Sequence, residues 1–417
     1  MSNEDAQVLS RFVTRMPEEY RVTDTPIAVP SRITRYGLSE VVNHLLALEK
    51  PRPFDFLVDG ELIRGSLEKF MLSKNVSAES VVTLEYIPAV APPTHVSAGE
   101  SKDWLSAVDG SHPNFILTGA CDGCARIWNT QGDCVVDFPV QPEALTSVSW
   151  VPGTSTQKHG VVTAGKDSTA KLWEFDSDQN SCKLLASFTG HTDSIEAIAV
   201  AGDGELMGTA SWDSTVRLWK LNVDDSETVP TEKKQRTTGG ASDANVTTTS
   251  SAEAILEGHT GCVSALSWHS AEEIFSASWD RSVRKWDANK ATAVQVFSVP
   301  KAIHCMSVGA QGALVALGGA ERSVRLWDPR LSASTTTTTL TSHTAWVSAV
   351  EWCPSNSYHL VSASFDNSVK LWDIRSQVPL HTLAAHADKV LCVDWHAGNF
   401  IASGGADCKL SIHKLQH

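Results

Sequence analysis

The chain has 417 residues, with 42% hydrophobic and 20% charged side chains and a net charge of −14. That balance belongs to a soluble globular protein long enough for one large domain and a smaller one. The acidity argues against broad binding to a phosphate backbone, which needs clustered Lys and Arg. No run of eighteen apolar residues predicts a membrane-spanning helix. The start, MSNEDAQVLSRF, lacks the apolar core of a secretory signal. Nine scattered cysteines fit reduced thiols of a cytosolic or nuclear protein.

Residues 1–92 read as a small α+β domain. VLSRFVT (8–14) and RVTDTPIAVP (21–30) predict two strands joined by a turn. Leu38, Val41, Val42, Leu45 and Leu46 then recur at the spacing of one helix face. A strand, a turn at Asp59-Gly60, a short strand, a short helical stretch and an apolar strand at 81–87 complete the segment 54–87. This order resembles ubiquitin, above all in DGELIRGSLEKFMLSKNVSAESVVTLEYI. The Gly-Gly tail of ubiquitin is missing, and the chain runs through AVAPPTH into the next domain. The segment is therefore expected to be a fused recognition domain rather than a conjugated tag.

From residue 93 onward the chain repeats. Segments such as ILTGACDGCARIWN (116–129) and FSASWDRSVRKWD (275–287) combine a small-residue strand, a tight acidic turn and an alternating strand ending in an aromatic. The final column is Trp128, Trp173, Trp219, Trp286, Trp327, Trp372 and, in the seventh copy, His413. Successive intervals are 45, 46, 67, 41, 45 and 41 residues, close to the ~40–45 residues of one propeller blade except at the third gap. His191, His259, His343 and His386, each after a small residue, precede the turn residues Asp213, Asp280, Asp366 and Asp407. These paired columns resemble the WD-repeat family, which implies a mainly β fold: a seven-bladed β-propeller over 93–417. In that family the His, the turn Asp and the Trp form a hydrogen-bonded tie inside each blade. The ties here would be His191–Asp213–Trp219, His259–Asp280–Trp286, His343–Asp366–Trp372 and His386–Asp407. Glu321 replaces the turn aspartate in copy five, and copies one, two and five lack the Gly-His, so those blades are expected to be less rigid. Residues 93–100 are placed to supply the outer strand of the last blade.

The long third gap holds 221–253, polar and nearly free of large apolar residues, and predicts a disordered surface loop. Its cluster Lys233, Lys234 and Arg236 reads as a solvated loop or as a short nuclear-import signal. The Ser/Thr run 332–342 predicts a second polar loop. Trp212, Trp279 and Phe365 each precede a turn aspartate, on the circular face of a propeller, where they either anchor a partner or pack on the neighbouring blade. Cys121 and Cys124 form a lone C-x-x-C across a repeat turn, without the second pair a zinc site needs. No phosphate-binding Gly loop, nucleophile elbow or carboxylate pair outside the repeat turns is present, so no catalytic residue is assigned and the chain reads as non-enzymatic.

A ubiquitin-like domain directly ahead of WD repeats is similar to the Notchless-type arrangement of two kinds of ribosome-assembly factor. Notchless has eight blades. Seven copies, the insert at 221–253, and phrases such as FDFLVDGELIR, SHTAWVSAVEW and AAHADKVLCVDW resemble instead the family of WD-repeat subunits of the PeBoW complex. That resemblance implies a scaffold for large (60S) ribosomal subunit assembly and pre-rRNA processing in the nucleolus and nucleoplasm. Its propeller would bind the block-of-proliferation protein, in complex with pescadillo, on the pre-60S particle. Its amino-terminal domain would be gripped by the AAA ATPase midasin, one carboxylate completing the Mg²⁺ coordination of midasin's MIDAS domain. Hard divalent cations prefer oxygen ligands, and Glu79 is the single acid in the loop NVSAES (75–80) before the last strand. No cofactor of the chain's own and no direct RNA contact are implied. The boxes Trp327-Asp328-Pro329-Arg330 and Trp372-Asp373-Ile374-Arg375 fit a rival class, the substrate receptors of cullin-4 ubiquitin ligases.

Overall fold

The structure is a computed structural model and describes residues 6–48, 50–75, 80–153, 157–221, 247–249, 251–309, 314–331, 336–396 and 399–415. Glu79, Lys233, Lys234 and Arg236 lie outside the described residues. The chain divides into two compact units, one of Met1–Pro92 with Asp373–Leu380 and one of Pro93–Trp372 with His381–Leu415.

The amino-terminal unit contains β1 (Gln7–Val13), β2 (Ile27–Pro30), α1 (Arg35–Leu46), β3 (Phe54–Val58), β4 (Glu61–Leu62), α2 (Leu67–Lys74) and β5 (Val82–Pro88). Its sheet runs β2-β1-β5-β3-β4, with β1 and β5 parallel at the centre. This is the topology expected from the likeness to ubiquitin. Alternation in β1 and β5 sends Val8, Phe12, Val82, Leu84 and Tyr86 to one face. There they meet Leu38 and Val42 of α1 and Leu67 and Met71 of α2. Asp59 and Gly60 both take positive φ (52° and 81°) between β3 and β4, the demand that a two-residue hairpin turn places on an Asp-Gly pair. The expected strand 21–30 shortens to β2. Glu18–Tyr20 form a 3-10 turn, and the Val22 amide donates to the Tyr86 hydroxyl at 3.0 Å instead of joining the ladder. The same hydroxyl donates to the Tyr20 carbonyl at 2.6 Å, so a core side chain holds this segment.

The second unit is built of seven sheets, each with four strands of one blade hydrogen-bonded in order. The seventh takes its outer strand from the other end of the repeat region. There β6 (Thr94–Glu100) pairs antiparallel with Lys409–Lys414, from Lys409 opposite Glu100 to Lys414 opposite Thr94. Closing the ring in this way leaves few free sheet edges. The innermost strands begin at Leu105, Leu145, Ile195, Val263, Ile303, Val347 and Val390. In all seven blades the pairing of that strand shifts register at its second residue. A bulge frees one side chain from the ladder. In blades 1, 2, 4 and 6 the freed residue is Ser106, Thr146, Ser264 or Ser348, whose hydroxyl donates to a carbonyl at the start of the next blade: Leu145, Ile195, Ile303 or Val390, respectively.

Two expectations are corrected. The Ser/Thr run 332–342 is not wholly a loop: Thr336–Thr341 is the outer strand of blade 5. β-Branched threonines suit a strand, and fully buried Leu340, opposite Val324, anchors it. Nor is all of 221–253 without structure. Thr247–Thr249 pair in parallel with Ala186–Phe188 as a fifth strand on blade 2, and the Glu253 amide donates to the Leu218 carbonyl at 2.9 Å.

Candidate functional site

The chemistry of the propeller begins with its ties. In blade 6 the Trp372 indole donates to Ser362 Oγ (2.8 Å), His343 Nε2 meets the same Oγ (2.7 Å), and His343 Nδ1 meets Asp366 Oδ2 (2.9 Å). Indole is a donor only. Ser362 Oγ therefore accepts from it; Asp366, held ionised, can only accept, so Nδ1 of the buried neutral imidazole donates to Asp366 and its Nε2 accepts from the Ser362 hydroxyl. Blades 3 and 4 repeat the relay through Thr209 and Ser276. Blade 7 keeps His386, Ser403 and Asp407, with buried His413 in the Trp position. The structure brings the tie residues together through a hydroxyl that the sequence reading did not name. Its sequence signal is a Ser or Thr ten residues before each tie Trp.

Burial alone would raise the Asp280 and Asp366 carboxyls. Hydrogen bonds from Ser282 and His259, and from Ser368, the Thr344 amide and His343, outweigh it and hold both at about 2. Burial also lowers His259 and His343 below the usual imidazole range. These histidines are structural partners, not free bases.

Blades 1, 2 and 5 have another device. Their turn acids pair with a base four residues on: Asp122 with Arg126 (2.5 Å), Asp167 with Lys171 (3.0 Å) and Glu321 with Arg325 (2.6 Å). In blade 5, Leu317 stands ten residues before Trp327, and Phe297 stacks on that indole at 4.9 Å with planes 7° apart. These ion pairs stand at the turns of the blades that lack the histidine.

On the circular face beside the ties, Trp212, Trp279 and Phe365 are fixed by equivalent bonds, their amides donating to the Ser194, Cys262 and Trp346 carbonyls at 3.0 Å. Trp212 and Trp279 are 41% and 42% exposed, while Phe365 is partly buried. They belong to a continuous aromatic arc. Trp212 meets Trp279 edge-on (4.8 Å), Trp279 meets His304 (5.5 Å), His304 stacks on Trp346 (5.5 Å), and Trp346 on Phe365 (6.2 Å). Lys389 ends the arc, its ammonium 5.5 Å from the Phe365 ring. Trp346, half exposed, and His304 escaped the sequence reading because they precede or enter the inner strands, outside the repeat's constant columns. Large exposed aromatic surfaces of this kind are the usual anchors of protein interfaces.

Within the channel a cavity of about 630 Å³ is lined by Asp109, Glu351 and Asp394, among others. Asp394 accepts from the Gly110 and Trp395 amides, and Asp109 from the Ser111 and Trp150 amides. Glu351 accepts from Ser307 Oγ at 2.8 Å. Burial raises Glu351 to about 7, against the Ser307 hydrogen bond and with help from the Asp109 charge. Burial, with the Asp109 and Glu351 charges, also raises Asp394 well above the usual range. A carboxyl raised in the fold binds more protons there than in the unfolded chain, so stability falls as pH climbs from about 4.5 to 7. Glu351→Gln is therefore expected to stabilise the protein at pH 8 by on the order of 2 kcal/mol and to leave it unchanged at pH 4.5. Denaturant midpoints at the two pH values measure this, and equal shifts at both would rule it out.

Among the described residues no group of His, Cys, Asp and Glu could hold a metal ion. Cys121 and Cys124 are free thiols, both pushed up by burial. No described helix is long and apolar enough to cross a membrane. In the two W-D-x-R boxes the arginine folds back on its own aspartate, Arg330 Nη2 to Asp328 at 2.8 Å and Arg375 Nη2 to Asp373 at 2.6 Å.

A closed ring of seven blades with an aromatic face, preceded in sequence by a ubiquitin-like unit, defines a WD-repeat propeller protein. Comparison with known families agrees: the WD domain, G-beta repeat, matches residues 182–220, 250–287, 334–373 and 377–414, and the NLE (NUC135) domain matches 8–71. Across 99% of its length the chain is 40% identical to a ribosome biogenesis protein WDR12 homolog of Chlamydomonas reinhardtii, covering 99% of that protein. It is also 40% identical to the homolog of Oryza sativa subsp. japonica, covering 97% of it, and 34% identical to the ribosome biogenesis protein YTM1 of Kluyveromyces lactis, covering 98%. The chain belongs to the WDR12/YTM1 family of ribosome biogenesis proteins.

Proposed function

We propose that this chain is a non-catalytic scaffold in large ribosomal subunit assembly and pre-rRNA processing, working in the nucleolus and nucleoplasm. The observation that carries this is the end-to-end correspondence with relatives named ribosome biogenesis proteins, spanning both the NLE unit and the propeller. The propeller anchors the chain to the block-of-proliferation protein, and through it to pescadillo and the pre-60S particle. The exposed arc of Trp212, Trp279, Trp346 and Phe365 is the docking surface this reading assigns. The amino-terminal unit is the handle by which midasin removes the scaffold. Glu79 supplies the oxygen ligand for a Mg²⁺ ion that midasin's MIDAS domain holds, and the chain needs no cofactor of its own.

Truncating two central aromatic anchors typically costs about 3 kcal/mol, roughly a hundredfold in affinity. The double variant Trp212→Ala, Trp279→Ala is expected to bind the purified block-of-proliferation propeller about a hundredfold more weakly, with its own melting little changed. Calorimetric titration reads the difference, and undiminished affinity would remove the aromatic arc from the interface.

A further inference from the structure

The bulge position of the innermost strand ties blade to blade in four blades, where a hydroxyl donates to the next blade's carbonyl. Blade 3 breaks that pattern. Its bulge residue is Glu196, turned toward the aromatic arc, where Oε1 accepts from the Trp212 indole at 2.6 Å and from Ser194 Oγ at 3.3 Å. The second carboxylate oxygen has no hydrogen-bond partner among the described residues. Trp212, the indole that bonds Glu196, stands edge to face against Trp279, centroids 4.8 Å apart and planes at 68°, and both rings are exposed, so that the three side chains form a corner. Lys166, exposed on blade 2, attracts Glu196 but forms no ion pair with it among the described residues. Asp193 adds a second negative charge nearby. At the far end of the arc, by contrast, the Phe365 ring already has its cation in Lys389.

We infer that the Glu196–Trp212–Trp279 corner is a receptor for an arginine side chain presented by the protein that docks on this face. The inference rests on the reading of the aromatic arc as a docking surface. A guanidinium is planar, stacks on indole and donates two parallel N–H bonds to a carboxylate, whereas an ammonium offers only a point charge. The corner supplies both halves of that recognition: indole faces, and a carboxylate oxygen not otherwise engaged. The incomplete solvation of Glu196, which burial pushes above the usual carboxylate range, is relieved when a cation enters. An acidic chain, at −14 overall, would also draw a basic partner to this corner.

The test uses the full chain labelled with ¹⁵N at its indoles and titrated with N-acetyl-arginine amide, without any partner protein. The Trp212 and Trp279 indole resonances, assigned through Trp212→Phe and Trp279→Phe, should move saturably. Glu196→Gln keeps an acceptor for the Trp212 indole but removes the charge, and should weaken the probe about tenfold. N-acetyl-citrulline amide, the neutral analogue, should leave both resonances in place. Absence of saturable movement, equal movement with citrulline, or an unchanged response in Glu196→Gln would each overturn the inference. Because the probe is read without a partner, these failures are distinguishable from failure of the docking surface itself, which appears as undiminished partner affinity in the Trp212→Ala, Trp279→Ala variant.

Discussion

His343→Ala is expected to destabilise the propeller by about 3 kcal/mol, through a network left half satisfied rather than through lost surface area. His343 is buried at 6% exposure between Ser362 and Asp366. Without it, the Ser362 hydroxyl loses its acceptor while still receiving the Trp372 indole, and Asp366 keeps, among the described residues, the Thr344 and Ser368 donors. The same relay sets the acid response. His343 is lowered in the fold by burial, so protons go first to the unfolded chain below about 6.5. Asp366 is depressed to about 2, so its contribution is present above about 4 and is lost as pH falls toward 2. Both shifts make stability fall with acidification. Denaturant midpoints for parent and variant at pH 7 and pH 5 measure this, and a loss under 1 kcal/mol at pH 7 would mean that the tie is dispensable.

Glu79→Ala is expected to abolish binding of the amino-terminal unit to midasin's MIDAS fragment in the presence of Mg²⁺. Magnesium demands a near-octahedral set of oxygen ligands and surrenders its waters reluctantly. A carboxylate that completes that set cannot be replaced by a methyl group. Outer-shell partners of metal sites already cost ~10–100-fold when mutated, and a direct ligand should cost at least about a hundredfold. Glu79→Asp keeps the oxygen donors on a shorter stem and should retain part of the affinity, and chelation of Mg²⁺ should remove binding by the parent chain. A pull-down or surface-binding assay distinguishes these results. Retained binding by the Ala variant would exclude Glu79 as the ligand.

The repeat architecture was legible because its signals are local and recur: a Trp column, a His 21–23 residues before each of four turn aspartates, and a segment at 93–100 free to close the ring. Thr209, Ser276, Ser362 and Ser403 were legible in principle, yet a small hydroxyl inside a small-residue strand carries no chemistry until the indole and imidazole converge on it. Asp109, Glu351 and Asp394 gave no signal, since acids on a strand read as solvent-facing. They meet only because blades 6, 7 and 1 bring their innermost strands together around the channel. The arc was half visible. Trp212, Trp279 and Phe365 sit in a repeat column, whereas Trp346 and His304 reach the same face from the inner strands. Segment 332–342 misled because polarity was read as loop where threonine also favours strand, and Leu340 decided the matter from inside the blade.

Affinity purification of the full chain from its own cells, followed by mass spectrometry, tests the scaffold assignment most directly. Recovery of the block-of-proliferation protein, pescadillo and large-subunit precursor proteins is the predicted result. Recovery of a cullin-4 ligase adaptor without pre-ribosomal proteins would contradict it.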